Sequence, residues 1–151
     1  GSSGGVGSIA VNLLSELNYH VVAASSKEKG FLISLGAKEV ISRKDIDKKN
    51  VKPLGEQKWA GCVDTVGGEI LATIITETKY NGVVIATGLA KSHQLNTTVY
   101  PFILRNITLS GIDCVYAKNS KRKKAWELIE KKLGSSPPSI DQETSSSALK
   151  V

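Results

Sequence analysis

The stretch that decides the fold is Gly1-Ser2-Ser3-Gly4-Gly5-Val6-Gly7, together with the run of residues 8–17 that follows it. Apolar residues recur in that run at the spacing of a buried helical stripe, namely Ile9, Ala10, Leu13, Leu14 and Leu17. A glycine-rich turn therefore opens an amphipathic helix. Backbone N–H groups converge at such a turn with few side chains in the way, and the helix N-terminus adds partial positive charge, so the pattern favours binding of phosphate groups.

The glycines of this turn match the dinucleotide-binding fingerprint in a variant form. Gly4 and Gly5 would let the backbone approach a pyrophosphate, and Gly7 would let the helix pack closely on neighbouring strands. Ser2 stands where the fingerprint has its first glycine. Gly-Ser-Ser-Gly is also common in expression tags, which is the alternative interpretation. The glycine spacing runs without interruption into the helix, and a strand follows at the required distance, which favours a phosphate-binding turn.

The rest of the chain alternates between two kinds of segment. Strand-like runs occupy residues 20–24, 39–41, 61–66, 82–86 and 107–115, and helical stripes occupy residues 27–35, 69–79 and 118–132. The alternation predicts an α/β fold, a Rossmann-like parallel sheet with helices on both faces. In this architecture the glycine loop follows a buried central strand, and no residue precedes Gly1. We therefore expect the first strand of the sheet to be missing from the chain.

Length and composition indicate one globular domain. The chain has 151 residues, of which 40% are hydrophobic and 23% charged. We expect a nucleotide-binding domain over residues 1–133 and a flexible tail rich in serine and proline over residues 134–151. No apolar run is long enough to span a membrane and no signal peptide is evident, so the expected location is the cytoplasm. Cys62 and Cys114 lie in strand-like runs and are expected to be buried free thiols.

Charge and metal-ligand content narrow the range of functions. The net charge is +6, and many of the lysines fall within residues 118–132. The lysines are interpreted as the solvent-exposed face of an amphipathic helix, because apolar residues in and beside that stretch stand at helical spacing. These apolar residues are Trp126, Leu128, Ile129 and Leu133. Nucleic-acid binding through these lysines is the alternative. His20 and His93 are isolated, and no metal cluster is visible.

The end of the first strand-like run, residues 20–24, bears on which dinucleotide is bound. NAD-specific sites place an acidic residue there to hold the ribose hydroxyls. This chain instead has Ser25, Ser26 and Lys27, two hydroxyls and an ammonium that suit a 2′-phosphate. Arg43, after the next strand-like run, could add a second cation. The pattern favours NADP, although the serines could merely cap the following helix and Lys27 could be solvated.

Seven short motifs occur in a fixed order along residues 1–133. They are Gly4-Gly5-Val6-Gly7, Leu35-Gly36-Ala37, Trp59-Ala60-Gly61, Asp64-Thr65-Val66-Gly67-Gly68, Gly88-Leu89-Ala90, Pro101-Phe102-Ile103-Leu104-Arg105 and Gly111-Ile112-Asp113. In combination they resemble the acrylyl-CoA reductase or quinone oxidoreductase branch of the medium-chain dehydrogenase/reductase superfamily. That branch is zinc-free, in agreement with the absence of evident metal ligands.

The resemblance implies NADPH-dependent reduction of an activated carbon–carbon double bond, with hydride passing to the β-carbon of an enoyl thioester or enone. The residues that it implies for the cofactor site fall into three groups. Ser3, Gly4, Gly5 and Val6 match the pyrophosphate loop; Ser25, Ser26, Lys27 and Arg43 match positions that hold the adenosine phosphate; Leu89 and Ile103 match positions near the nicotinamide. Cys114 stands where relatives often have serine. Core packing is the alternative role for Leu89, Ile103 and Cys114, and no catalytic residue is assigned.

The resemblance also implies features that this sequence lacks. Relatives carry a preceding substrate domain and a returning C-terminal segment, and neither is recognisable here. We therefore expect this fragment to bind cofactor weakly without turning over substrate. Relatives usually form homodimers by aligning edge strands, for which residues 108–115 are the candidate. A quinone reductase and a non-catalytic NADP-sensing module are the alternative functions.

Overall fold

The computed structural model describes residues 1–134, so the predicted tail lies almost entirely outside the described residues. Helices and strands alternate through the described chain. In order they are α1 (Gly5–Glu16), β1 (Val22–Ala24), α2 (Lys29–Ser34), β2 (Glu39–Ile41), α3 (Arg43–Ile46), β3 (Trp59–Asp64), α4 (Gly68–Glu77), β4 (Thr78–Ala86), α5 (Tyr100–Arg105), β5 (Thr108–Gly111) and α6 (Asn119–Leu133). The predicted alternation is confirmed.

The described chain divides into two compact units, and the first contains residues 1–41 and 114–134. Its strands β1 and β2 pair in parallel, with Val22 opposite Glu39 and Ala24 opposite Ile41. A small apolar core is shared by α1, α2 and the residues around the two strands, namely Val11, Val21, Ala23, Leu32, Leu35 and Ala37. Gly36 ends α2 with a φ of 97°, a left-handed conformation that suits glycine at this position.

The second unit contains residues 42–113 and a three-stranded sheet in the order β3-β4-β5. Both pairings in this sheet are parallel. The connecting helix α4 is buried along almost its whole length, with Glu69 as its one exposed residue. Because every strand pairing is parallel and helices connect the strands, the predicted α/β class is confirmed. Among residues 1–134 the strands lie in two hydrogen-bonded sheets rather than a single continuous one, and the expected absence of a first strand stays a prediction.

The basic segment forms the predicted helix α6, but its apolar stripe is not buried. Trp126 is 64% exposed and Leu128 is 44% exposed, while Ile129 and Leu133 are only partly covered. Residues of α6 lie near α1, which accounts for the partial cover. Helical periodicity shows which residues share a face, but it cannot show that a partner covers the face. The lysines are exposed apart from Lys132, and nucleic-acid binding through them is not tested.

The two cysteines differ from the expectation that both are buried. Both are free thiols, but Cys114 is exposed, Cys62 is only partly buried, and only Cys62 lies in a strand. The predicted last strand was too long: β5 ends at Gly111, three residues before Cys114. Ile112 and Val115 made the segment resemble a continuing strand, although both are exposed. No helix among residues 1–134 has the length and apolar character needed to cross a bilayer, and the cytoplasmic location stays a prediction.

Candidate functional site

The opening turn of the chain is closed by its own backbone. Gly4 N–H donates to the Gly1 carbonyl at 3.1 Å, and Ser8 N–H donates to the Gly4 carbonyl at 2.8 Å, which begins α1. Gly4 is the N-cap residue, with extended backbone and no side-chain cap. The first turn of α1 contains no acidic residue. The N–H groups at the start of a helix have no partners within it, so this turn offers donors and partial positive charge to an anion.

The two glycines inside α1 have different surroundings. A Cβ atom added at Gly7 would lie 2.2 Å from the Gly1 carbonyl oxygen and 2.7 Å from Ser2 Cα, which no real contact permits. Gly7 is therefore needed so that the helix can pack on the turn that precedes it, rather than on neighbouring strands as expected. A Cβ at Gly5 would meet no heavy atom within 4 Å, so the space beside Gly5 is open.

Ser25, Ser26 and Lys27 form a second turn directly after β1. The Ser25 hydroxyl donates to the Lys27 carbonyl at 2.8 Å and accepts from Lys27 N–H at 3.2 Å. Ser26 and Lys27 are exposed. The alternative that the serines cap α2 is excluded, because the N-cap residue is Glu28, without a side-chain cap and with a φ of 60°. The Ser25 hydroxyl therefore shapes the turn, and the Ser26 hydroxyl and Lys27 ammonium lie on an exposed surface.

The structure brings the opening turn and the second turn together. Ala24 N–H donates to the Ser2 hydroxyl at 3.0 Å, and the hydroxyls of Ser3 and Ser25 are 3.4 Å apart. Residues 22 positions apart in sequence thus meet through side-chain hydroxyls. The backbone donors of the opening turn therefore lie beside the turn that carries the exposed Ser26 hydroxyl and Lys27 ammonium.

Arg43 and Cys114, predicted for the adenosine and nicotinamide contacts, are not part of either turn. Arg43 is the first residue of α3 in the second unit and is exposed, behind a capping box formed by Ser42 and Asp45. Cys114 is exposed at the start of the C-terminal part of the first unit, where its carbonyl accepts from the Arg122 guanidinium at 3.0 Å. Their roles as cofactor contacts stay predictions.

An open apolar pocket of about 450 Å³ lies at the carboxyl ends of β4 and β5. It is lined by Ala86, Thr87, Gly88, Leu89, Gly111, Ile112 and Asp113. Leu89 and Ile112 are 65% and 53% exposed, so the core-packing alternative for Leu89 is not supported. Ile103 is also exposed, on α5, but is not one of the pocket residues. Ligands of parallel α/β folds commonly bind at such strand ends.

Asp64 holds the loop that carries Leu89, a role that the sequence motif did not reveal. The Asp64 carboxylate is buried and accepts from Gly67 N–H at 2.9 Å and Val66 N–H at 3.3 Å. Burial raises the pKa of this carboxyl, and the two N–H groups partly oppose that shift. The resulting turn is hydrogen-bonded to the loop that carries Leu89, because Lys91 N–H of that loop donates to the Val66 carbonyl at 2.9 Å.

Two other motif residues of the second unit are structural. The Arg105 guanidinium donates to the Thr76 carbonyl at 2.7 Å and to the Gly55 carbonyl at 2.6 Å. The Trp59 indole N–H donates to the buried Glu77 carboxylate at 3.3 Å, and the Lys48 ammonium pairs with the same carboxylate. These bonds join the C-terminal end of α4 to the loop before β3, so the signature residues here stabilise the fold.

A second pocket of about 220 Å³ lies beside α4 in the second unit. It is lined mainly by polar residues of α4 and of two loops, among them Lys49, Lys52, Glu69, Ser92, Asn96 and Thr97. None of the residues predicted for the cofactor lines it, and we do not assign it to the candidate site. Within residues 1–134, no three His, Cys, Asp or Glu side chains are grouped closely enough to hold a metal ion. The zinc-free assignment stays a prediction.

The parallel pairing, the helices between strands and the glycine turn at the start of α1 define a Rossmann-like α/β protein. The family model described as zinc-binding dehydrogenase matches residues 5–131. The chain belongs to this family, within the medium-chain dehydrogenase/reductase superfamily that its motifs resembled.

Individual relatives agree with this assignment. The chain is 47% identical to "Probable acrylyl-CoA reductase AcuI" of Escherichia coli over 131 residues, which are 85% of the chain and 40% of that protein. It is 43% identical to "Putative quinone oxidoreductase YhfP" of Bacillus subtilis over 135 residues, which are 88% of the chain and 41% of that protein. The chain thus spans about two-fifths of the length of these curated relatives.

Solved structures show the same fold. The yhdH oxidoreductase of Salmonella enterica in complex with NADP has a TM-score of 0.85 and 46% identity, covering 93% of this chain and 42% of that one. The Bacillus subtilis protein yhfP with NAD bound has a TM-score of 0.86 and 35% identity, covering all of this chain and 51% of that one.

Proposed function

We propose that this chain is the dinucleotide-binding part of an NADPH-dependent oxidoreductase that reduces an activated carbon–carbon double bond. The observation that supports it most is the hydrogen-bonded contact of the opening turn with the turn after β1. The proposed dinucleotide-binding domain comprises residues 1–133.

The proposed phosphate contacts use backbone donors and two exposed side chains. Ser3, Gly4, Gly5 and Val6 would surround the pyrophosphate, with the open space beside Gly5 admitting the phosphate oxygens. At the second turn, Ser26 and Lys27 would bind the 2′-phosphate directly, while Ser25 keeps the turn in shape. Arg43 is proposed as a second cation. No acidic side chain competes for the ribose within residues 24–27.

The proposed nicotinamide contacts are apolar. The exposed Leu89 and Ile112 side chains at the carboxyl ends of β4 and β5 would pack on a planar ring and keep water from it. Ile103 and Cys114 are further proposed contacts of the nicotinamide. When bound, NADPH supplies a hydride for the β-carbon of the substrate, and a proton completes the α-carbon.

The proposed substrate is an enoyl thioester of the acrylyl-CoA kind. The name of the Escherichia coli relative supports it, and the name of the Bacillus subtilis relative supports quinone reduction as the second candidate. The full natural polypeptide is the material for the test. NADPH oxidation, followed by its loss of absorbance, is expected to be faster with acrylyl-CoA than with a quinone. A faster rate with the quinone would favour the second candidate, and no oxidation with either would contradict the proposed reaction.

The proposed cofactor contact is tested with a matched pair of lysines. Lys27→Ala removes an ammonium from the second turn, and we expect NADPH to bind about 10-fold more weakly, as is typical for loss of a hydrogen bond to a charged group. Lys29→Ala, two residues away at the start of α2, is the control and is expected to change the dissociation constant less than twofold. Equal effects of the two variants in calorimetry would contradict a specific phosphate contact at Lys27.

A homodimer is proposed from the edge of the second sheet. β5 is an outer strand of the order β3-β4-β5, and Ile112 N–H donates to the Ala86 carbonyl of β4. Successive N–H groups of a strand point to opposite sides, and Leu109 is three residues before Ile112. The Leu109 N–H group therefore points away from β4, toward the open edge of the sheet. Leu109→Pro removes that donor and is expected to convert a dimer to a monomer in analytical ultracentrifugation. A wild-type monomer, or a variant that remains dimeric, would contradict this interface.

A further inference from the structure

Ser2 stands at the fingerprint position where glycine is usual, and its side chain makes a hydrogen bond to the backbone. Its hydroxyl oxygen accepts a hydrogen bond from Ala24 N–H at 3.0 Å. Glycine or alanine at this position has no atom that could make the bond. The contact joins residue 2 of the opening turn to the last residue of β1.

The Ala24 N–H group is a donor that the sheet itself does not use. Ser25 N–H donates to the Ile41 carbonyl of β2 at 3.0 Å. Successive N–H groups of a strand point to opposite sides, so Ala24 N–H points away from β2. The Ser2 hydroxyl satisfies this donor on the open side of β1, and without it the donor would need another partner.

A second hydroxyl contact lies beside the first. The Ser25 hydroxyl donates its one proton to the Lys27 carbonyl at 2.8 Å. In the 3.4 Å contact between the Ser3 and Ser25 hydroxyls, Ser3 is therefore the donor. The Ser25 oxygen also accepts from Lys27 N–H at 3.2 Å. The opening turn is therefore connected to the backbone of Lys27 through the hydroxyls of Ser3 and Ser25.

We propose that Ser2 is a positioning residue that sets the preference for a dinucleotide with a 2′-phosphate. The inference rests on the proposed function, in which NADPH engages both turns at once. A ligand that is held by two phosphates binds tightly only when the distance between the two phosphate sites is fixed. If one turn is mobile, binding has to order it, and this lowers the affinity. NADH lacks the 2′-phosphate and depends less on that distance. Loss of the Ser2 hydroxyl should therefore weaken NADPH binding more than NADH binding.

The test compares both cofactors by calorimetry on the full natural polypeptide. Ser2→Ala is expected to weaken NADPH binding about 3- to 10-fold, the range for one hydrogen bond, and NADH binding less than twofold. Ser2→Thr keeps a hydroxyl and is expected to restore the wild-type preference. In the Lys27→Ala background, Ser2→Ala is expected to change NADPH binding less than twofold, since the second anchor is already gone. Ser34→Ala, a serine on the exposed surface of α2, is the matched control.

The outcomes separate this inference from the function on which it rests. Absence of NADPH binding by the wild-type protein would overturn both. If the wild type binds NADPH, equal losses for NADPH and NADH in Ser2→Ala would show a merely structural role and overturn the inference alone. If Ser2→Ala fails to fold, Ser2→Gly replaces it, because glycine is the usual residue at this fingerprint position and also lacks the hydroxyl. A loss confined to NADPH supports the proposal, and an unchanged preference overturns it.

Discussion

Gly5 and Gly7 lie two residues apart in one turn, but their surroundings assign them different roles. An alanine methyl at Gly7 would overlap the Gly1 carbonyl, whereas at Gly5 it would enter open space. Gly7→Ala is therefore expected to lower the free energy of unfolding by about 1–3 kcal/mol, as overpacking typically does. Gly5→Ala is expected to leave stability unchanged or raised by up to about 1 kcal/mol, because alanine favours helix.

Denaturant unfolding without cofactor measures both changes, and NADPH titration separates them further. Gly5→Ala should weaken NADPH binding although the protein is fully folded, since its methyl occupies the space proposed for phosphate. If Gly5→Ala were as destabilising as Gly7→Ala, the described geometry of the turn would be wrong. If it were stable and bound NADPH like the wild type, the proposed position of the pyrophosphate would be wrong.

The cysteines provide a second prediction at the scale of single residues. Burial, with a contribution from the nearby Asp64 carboxylate, raises the pKa of Cys62 to about 12. At pH 7 the Cys62 thiol is therefore almost entirely protonated, and the thiolate is the reactive form. N-ethylmaleimide is therefore expected to modify the exposed Cys114 rapidly and Cys62 very slowly.

Mass spectrometry of peptides after timed labelling gives both rates. In urea the two cysteines should react alike, which is the control for intrinsic reactivity. Equal rates in the folded protein would contradict the described difference in exposure. The sequence predicted two free thiols correctly but not the exposure of Cys114, because apolar neighbours such as Ile112 and Val115 do not reveal whether anything covers them.

At the scale of elements, the Arg105 side chain joins three segments of the second unit. Its guanidinium donates to carbonyls at Thr76, Thr78 and Gly55, which joins the end of α4 and the start of β4 to a loop. A lysine ammonium lacks the planar fork needed to reach all three acceptors. Arg105→Lys is expected to reduce the free energy of unfolding by about 2–3 kcal/mol.

The exposed Arg43 of α3 supplies the matched control for this prediction. Arg43→Lys is expected to change the free energy of unfolding by less than about 0.5 kcal/mol in the absence of cofactor, as surface substitutions usually do. Urea titration of both variants is the measurement. Equal stabilities of Arg105→Lys and the wild type would show that the carbonyl network contributes nothing.

The elements were predictable where the chain carries a strong period or a clear stop signal. The glycine turn was correctly predicted to open α1, and the predicted helical stripe of residues 27–35 contains α2. The short helix α3 was missed, although Ser42 and Asp45 form the capping box that could have revealed it. It has only four residues in a lysine-rich loop, so it has no apolar period to detect. The mutual contacts of the serines in the two turns were also beyond the sequence, since they depend on side chains brought together from distant positions.

At the scale of the whole molecule, family membership and cofactor chemistry rest on different grounds. The family match covers most of the chain, whereas the chain covers only about two-fifths of its curated relatives. Residues proposed for the cofactor occur in both compact units, and their action in a single site stays a proposal. Both turns proposed to bind phosphate belong to the first unit, whereas Arg43, the second proposed cation, belongs to the second unit.

Calorimetric titration of the wild-type full natural polypeptide with NADPH and with NADH tests the central claim most directly. Relatives have been solved with NADP and with NAD, so the preference has to be measured on this protein. The account predicts that NADPH binds about 10-fold or more tightly than NADH, because the second turn offers the Ser26 hydroxyl and the Lys27 ammonium to the additional phosphate. Equal or tighter binding of NADH, or binding of neither, would contradict it.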